Sequence, residues 1–180
     1  AGLAFLPVTA GIVIGAVLAQ TLIPRLGIRQ VSVVGISLGA VGLFLLSLIS
    51  THGTYLGDLL PGLAVMSVGM GLTFVPVTLI ATTNIVDEDA GLASGLFNTA
   101  QQVGGALGLA ILSTFAASRT DHVLGSLGHA SGPQHDAALV DGFQLAFQVG
   151  AGLMIGAAIL IVALIRRADV AQISAEVATA

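Results

Sequence analysis

The chain has 180 residues, of which 56% are hydrophobic and only 8% are charged, and its mean hydropathy is +1.04. Soluble domains carry roughly 25% charged residues, so this composition excludes a soluble domain and favours a protein embedded in a membrane. The net charge is −4, and the five basic residues are all arginines, too few for a nucleic-acid-binding surface. Because cysteine is absent, disulfides and thiolate metal sites are also excluded.

Five apolar runs recur along the chain, and each reaches the roughly 20 helical residues that cross the hydrocarbon core of a bilayer. The sequence therefore predicts an all-α integral membrane bundle, with residues 1–180 forming a single transmembrane domain. The predicted spans are 3–23, 31–50, 59–83, 91–116 and 143–165, and the polar stretch 118–141 is predicted to be an extracytoplasmic loop. Since the chain begins without Met, we expect it to be a fragment whose N-terminal spans are missing.

Prolines and arginines mark the ends of the spans. Pro24 predicts the end of the first helix, and Pro76 predicts a kink within the third. With five crossings, four arginines share one membrane face and only Arg119 lies on the other. The bias of positive charge towards the cytoplasm then places the N-terminus outside and the C-terminus inside a cell (inner or plasma) membrane. The four arginines are Arg25, Arg29, Arg166 and Arg167.

The fourth run has a polar face and an apolar face when it is wound as a helix. Unpaired amides facing lipid would cost several kcal/mol, so the amide side chains of this run must face protein or water. Two interpretations remain open, namely hydrogen bonding between helices and the lining of a substrate path. The substrate-path candidates are Asn98, Gln101 and Gln102 of the fourth run and Thr73 of the third. Phe74 and Phe97 are interpreted as packing or lipid-facing residues.

Pairs of glycines four positions apart recur in every span except the third, where a serine takes the place of one glycine. Such pairs let two helix backbones approach closely within a membrane. In the fourth run, Gly91, Gly95, Gly104 and Gly108 are predicted to pack against neighbouring helices. The other pairs are Gly11/Gly15, Gly35/Gly39, Ser67/Gly71 and Gly152/Gly156.

The sequence contains no arrangement that is typical of catalysis or of metal binding. No acidic, basic or histidine residue lies well inside a span, so we expect the main proton-carrying group to lie elsewhere. Asp87, Glu88 and Asp89 are interpreted as a solvated turn before the fourth helix rather than as a metal site. We therefore predict that the chain is not an enzyme and that it holds no metal or other cofactor.

Several motifs together resemble the C-terminal part of a major facilitator superfamily transporter of the fourteen-span drug:proton antiporter group. They are the R-x-G-x-R turn, the GMGLTFVP helix, the acidic turn and the string AGLASGLFNTAQQVGGALGLAIL. The resemblance implies that the five runs are spans ten to fourteen. In the family loop motif G-x-L-x-D-R-x-G-x-R, this chain departs at two positions, with Gln20 for Gly and Pro24 for Asp. The matching residues are Leu22, Arg25, Gly27 and Arg29, and the arginines are expected to be cytoplasmic anchors.

The resemblance implies multidrug efflux by alternating access, in which a proton gradient drives the export of small cationic or lipophilic compounds. The expected partners are the lipid bilayer, the missing N-terminal spans of the same chain and a drug-like small molecule, but no nucleic acid. Two other functions remain open. One is a metabolite exporter or symporter of the same superfamily, and the other is a membrane scaffold subunit that transports nothing.

Overall fold

The computed structural model describes residues 5–82, 89–127 and 131–164, and these residues form five long helices. A single π-helical turn, Tyr55–Leu59, leads directly into the third helix. All five helices are long and apolar enough to cross a membrane, which confirms the predicted all-α membrane bundle. The helices are α1 (Leu6–Leu26), α2 (Ile28–Leu46), α3 (Leu60–Thr82), α4 (Ala90–Leu127) and α5 (Gly132–Leu164).

The turn between α1 and α2 consists of one residue, Gly27, rather than the proline before it. The prediction that α1 ends at Pro24 is wrong, because a proline removes only its own N–H bond and the helix continues to Leu26. Gly27 has φ 84° and ψ 153°, a backbone conformation that essentially only glycine adopts. Its N–H donates to the Ile23 carbonyl at 2.8 Å, and its own carbonyl accepts from the Val31 N–H at 3.2 Å. This glycine therefore sets the sharp reversal of the chain.

The helices lie in the spatial order α1, α3, α2, α5, α4, so that α2 and α3 form the centre of the bundle. Between α2 and α3 the backbones touch, and a Cβ atom built on Gly69 would lie 2.5 Å from the Gly39 nitrogen and 2.6 Å from the Gly35 oxygen. Such a contact requires glycine at this position. The predicted small-residue pairs of α1, α2 and α3 thus lie in helix contacts. These pairs are Gly11/Gly15, Gly35/Gly39 and Ser67/Gly71.

The best-buried side chains lie near the end of the bundle where α1 turns into α2. Ile23 and Ile28 flank the Gly27 turn and are completely buried, and Leu72 of α3 packs into the same cluster. At the opposite end, Gln144 of α5 donates from Nε2 to the Ile49 carbonyl at 2.6 Å, which ties α5 to the residues after α2. Together with the bond that Arg29 of α2 donates to the Val162 carbonyl of α5, at 2.6 Å, this bond ties α5 to α2 and its following residues at both ends.

The stretch 118–141, which the sequence predicts to be a loop, is largely helical, so the prediction is wrong about its conformation. α4 continues to Leu127 and α5 begins at Gly132. The two extensions support each other. The Thr120 hydroxyl shares its proton between the Ala116 carbonyl of α4 at 2.9 Å and the Ala138 carbonyl of α5 at 3.2 Å, and Arg119 pairs with Asp141 at 3.6 Å. Gly142 also lets the Ala116 carbonyl of α4 approach the α5 backbone closely. The extracytoplasmic location of this hairpin stays a prediction.

Candidate functional site

A groove opens between α3, α4 and α5 and has a volume of about 250 Å³. We call it the methionine groove. It brings together two of the four substrate-path candidates, Thr73 and Gln101, which are 28 positions apart in the sequence. Its lining residues are Met70, Thr73, Phe74 and Val77 of α3, Gln101 of α4 and Met154 of α5.

The α3 wall of the methionine groove is a single helix face. Positions 70, 73, 74 and 77 follow the three- and four-residue spacing that places side chains one above another. Thr73 donates from Oγ1 to the Gly69 carbonyl at 2.8 Å, so its proton is already used within α3. The Thr73 oxygen also lies close to Gly35 of α2, where a built Cβ would be 2.5 Å from it, so Thr73 is partly held in the contact between α2 and α3.

The opposite wall comes from α4, which diverges from α5 along its N-terminal half. Near the hairpin the two helices pack closely, and Leu112 of α4 lies against Gly150 of α5. Nearer the N-terminus of α4, Gly105 and Gly108 have no atom within 4 Å of a built Cβ. The Gln101 side chain is exposed there and takes part in no hydrogen bond within the described ranges. Its amide is therefore free to bond a molecule in the groove.

Met154 supplies the floor of the methionine groove. Its sulfur and terminal methyl lie over Gly39 of α2, each 3.0 Å from a Cβ built there. Methionine is flexible and polarizable, and it adapts its shape to different apolar partners and aromatic rings. Met154 and Met70 therefore give the groove two flexible side chains beside the rigid ring of Phe74.

The lining of the methionine groove is mainly apolar and, in the part of the chain that is described, carries no ionisable group. Gln101 offers two amide donors and one carbonyl acceptor, and Thr73 is the other polar residue of the lining. An apolar cleft with a few convergent polar groups is the usual form of a small-molecule site. This groove suits a lipophilic or aromatic compound that carries a hydrogen-bonding group.

The structure separates the other two substrate-path candidates from the methionine groove. Asn98 and Gln102 are exposed on α4 and do not line it. Phe74, which is expected to pack or to face lipid, lines the groove with its ring and keeps more than half of its surface exposed. Met70 and Met154 were not predicted, and no local pattern in the sequence distinguishes them from core residues.

The glycine face of α4 makes no contact with the other described helices. Gly91, Gly95, Gly104 and Gly108 have nothing within 4 Å of a built Cβ, and the same is true of Gly152 in α5. The predicted packing is therefore not made within residues 5–82, 89–127 and 131–164. The physical reason is that a small-residue face permits a close neighbour but does not determine which helix provides it.

The arginines lie at opposite ends of the bundle. Arg29, at the start of α2, donates from Nη2 to the Val162 carbonyl near the end of α5, at 2.6 Å. Arg119 pairs with Asp141 of α5. Asp141 and Val162 are about 32 Å apart along α5 at 1.5 Å per residue, so Arg119 and Arg29 lie at opposite ends of this helix. Arg25 belongs to the same end as Arg29, and it is exposed. Arg166 and Arg167, like Asp87 and Glu88, lie outside the described residues.

The comparison with protein families agrees with this architecture. Residues 1–109 match the model of the Major Facilitator Superfamily. The puromycin resistance protein pur8 of Streptomyces alboniger is 35% identical over 162 residues, which cover 88% of this chain and 31% of pur8. The family match covers more than half of the sequence, and the chain belongs to the Major Facilitator Superfamily. It is accordingly a multi-pass membrane protein.

Two further relatives are named for export or resistance. The cephamycin export protein CmcT of Amycolatopsis lactamdurans is 37% identical over 121 residues, or 67% of this chain and 25% of CmcT. The multidrug resistance protein Stp of Mycobacterium tuberculosis is 31% identical over 117 residues, or 65% of this chain and 21% of Stp. The chain thus spans about a third or less of the length of these relatives.

Proposed function

We propose that this chain is the C-terminal part, spans ten to fourteen, of a proton-coupled multidrug efflux transporter of the fourteen-span group. Its relatives named for drug resistance and export support efflux over uptake. The observation that carries the proposal is the methionine groove, an uncharged cleft of adaptable side chains with a free amide at Gln101. Gln101, Thr73 and Met154 contact the exported compound as it passes.

In this mechanism the five helices form most of one bundle, which rocks against a second bundle to expose the groove to each side in turn. The groove has no carboxylate among its described lining residues, so the groups that carry the proton belong to other parts of the transporter. The bundle then supplies binding and movement, and the proton gradient supplies the driving force without any cofactor. The N-terminus of the chain lies outside the cell and its C-terminus lies in the cytoplasm.

Dye efflux from cells that express the full-length polypeptide tests this function. Preloaded ethidium should leave energised cells several-fold faster than it leaves cells with an empty vector, and a protonophore should abolish the difference. In inverted vesicles, adding the dye should release protons from an acidified lumen, as antiport requires. Efflux that survives the protonophore while ATP is present, or accumulation of dye against its gradient in intact cells, would contradict proton-coupled export.

A further inference from the structure

A second groove runs along the other side of α5, where α5 lies against α2. Two cavities occupy it, one of about 360 Å³ at the start of α2 and one of about 450 Å³ further along. Both follow the same pair of helix faces, and we call them together the α2–α5 groove. The first is lined by Arg29, Gln30, Val33, Val34 and Val162, and the second by Ser37, Ala40, Val41, Phe44, Ala151, Ile155 and Ala158.

The α2–α5 groove has the length and character of a binding surface for an acyl chain. From Arg29 to Phe44 it extends about 22 Å at 1.5 Å per residue, which exceeds the roughly 15 Å of one leaflet of a 30 Å hydrocarbon core. Beyond Arg29 and Gln30 at its start, its walls are aliphatic apart from Ser37 and the single ring of Phe44. Val41, Phe44 and Ile155 each leave about half of their surface exposed, so a chain lying in the groove would cover apolar area.

The guanidinium group of Arg29 lies at one end of the α2–α5 groove and is held in place by a hydrogen bond. One of the five N–H groups of Arg29 donates to the Val162 carbonyl, at 2.6 Å. This bond holds the side chain across the gap between α2 and α5. Its Nε is buried and has no hydrogen-bond partner in the described part of the chain. A planar guanidinium whose position is already set is well suited to bind phosphate oxygens through two parallel bonds. The amide of Gln30 lines the same cavity.

We propose that the α2–α5 groove binds an anionic phospholipid of the bilayer. The phosphate is held by Arg29 and Gln30, and one acyl chain lies along α2 between Val33 and Phe44. Charge complementarity selects the headgroup, because Arg29 is the only charged residue lining either described cavity of the groove. Its position at a helix end, next to the apolar faces of two spanning helices, places it at the depth of lipid headgroups. The bound lipid would bridge α2 and α5.

Tryptophan quenching by brominated lipids measures this binding directly. The chain contains no tryptophan, so Phe44→Trp introduces one aromatic reporter into the groove. The full-length polypeptide, freed of any other tryptophan, is reconstituted in phosphatidylcholine vesicles with a minor fraction of brominated phosphatidylglycerol. Binding should quench the emission of the introduced indole several-fold more than the bulk fraction of that lipid predicts. The reverse mixture, with bromine on phosphatidylcholine, should quench less than its bulk fraction predicts.

Variants at the turn separate phosphate binding from a purely structural role of Arg29. Arg29→Gln should return quenching to the bulk value, and Arg29→Lys should keep part of the enrichment because the charge remains. Arg25→Gln is the matched control, since this exposed arginine lies at the same end outside the groove and should leave the enrichment unchanged. Three results would overturn the proposal: quenching at the bulk value in the Phe44→Trp protein with Arg29 intact, enrichment that survives Arg29→Gln, or equal loss of enrichment in the Lys variant and the Gln variant.

Discussion

Replacing Gly69 with valine should prevent α2 and α3 from packing, and of the substitutions predicted here it should cost the most stability. A Cβ at this position would meet backbone atoms of Gly35 and Gly39 at 2.5–2.6 Å, and the backbone cannot move aside as a flexible side chain would. Overpacking in a close-packed interior costs about 1–3 kcal/mol, and occasionally more. Because the clash here involves backbone at the centre of the bundle, we expect at least the upper end of this range.

Gly152→Val in α5 is the matched control for the α3 variant. It also adds a branched side chain to a membrane helix, but no atom lies within 4 Å of its built Cβ. The midpoint of unfolding in mixed detergent micelles, followed by circular dichroism, should fall sharply for Gly69→Val and stay near the parent value for Gly152→Val. Equal midpoints for Gly69→Val and the parent chain would show that α2 and α3 do not meet at this glycine.

Filling the methionine groove should have the largest effect on transport. Gln101→Trp places a large ring where the exposed amide now lines the cleft and removes its hydrogen-bonding groups. A lost hydrogen bond costs about 0.5–1.5 kcal/mol, and obstruction of the groove adds to this, so we expect dye efflux to fall about tenfold or more. Gln101→Leu changes the polarity of the side chain with little change of its volume, so it should lower dye efflux less than Gln101→Trp does.

Leu107→Trp is the control for the groove variant, because Leu107 is exposed on the apolar face of α4, about 120° around the helix from Gln101. Initial rates of ethidium efflux, normalised to the amount of protein in the membrane, should be retained in this variant. Asn98→Leu should also retain most of the activity, since Asn98 does not line the groove. If Gln101→Trp and Leu107→Trp transport equally well, the methionine groove is not part of the substrate path.

The sequence predicts the class of fold well because lipid imposes simple requirements on a chain. Apolar length identifies each span, and each of the five predicted runs overlaps one of the described helices. The Gly27 turn and the placement of Arg25 and Arg29 at one end also follow from local residues. The apolar runs of the sequence do not show where a helix continues beyond its membrane-spanning part. The hairpin of α4 and α5 extends to Leu127 because its two polar arms pack on each other.

The candidate site could be predicted only in part, since a helical pattern identifies a face and not its neighbour. The sequence predicts the polar face of α4 but not which of its amide side chains enters the site. Of Asn98, Gln101 and Gln102, only Gln101 lines the groove that Thr73 also lines. Met154 enters the site because α5 crosses α2 at Gly39, a contact that no spacing in either helix predicts. The same limit explains the glycines of α4, whose open face shows where a helix could pack without showing which one does.

Cysteine protection at Gln101 tests the central claim, that α4 presents one face to a substrate path and the other to lipid, most directly. The chain has no cysteine, so Gln101→Cys and Leu107→Cys each add one reporter to a cysteine-free background of the full-length polypeptide. A water-soluble maleimide should react with Gln101→Cys, excess ethidium should slow that reaction several-fold, and Leu107→Cys should remain unmodified. Modification of Leu107→Cys at a similar rate, or a rate at Gln101→Cys that ethidium leaves unchanged, would contradict the account.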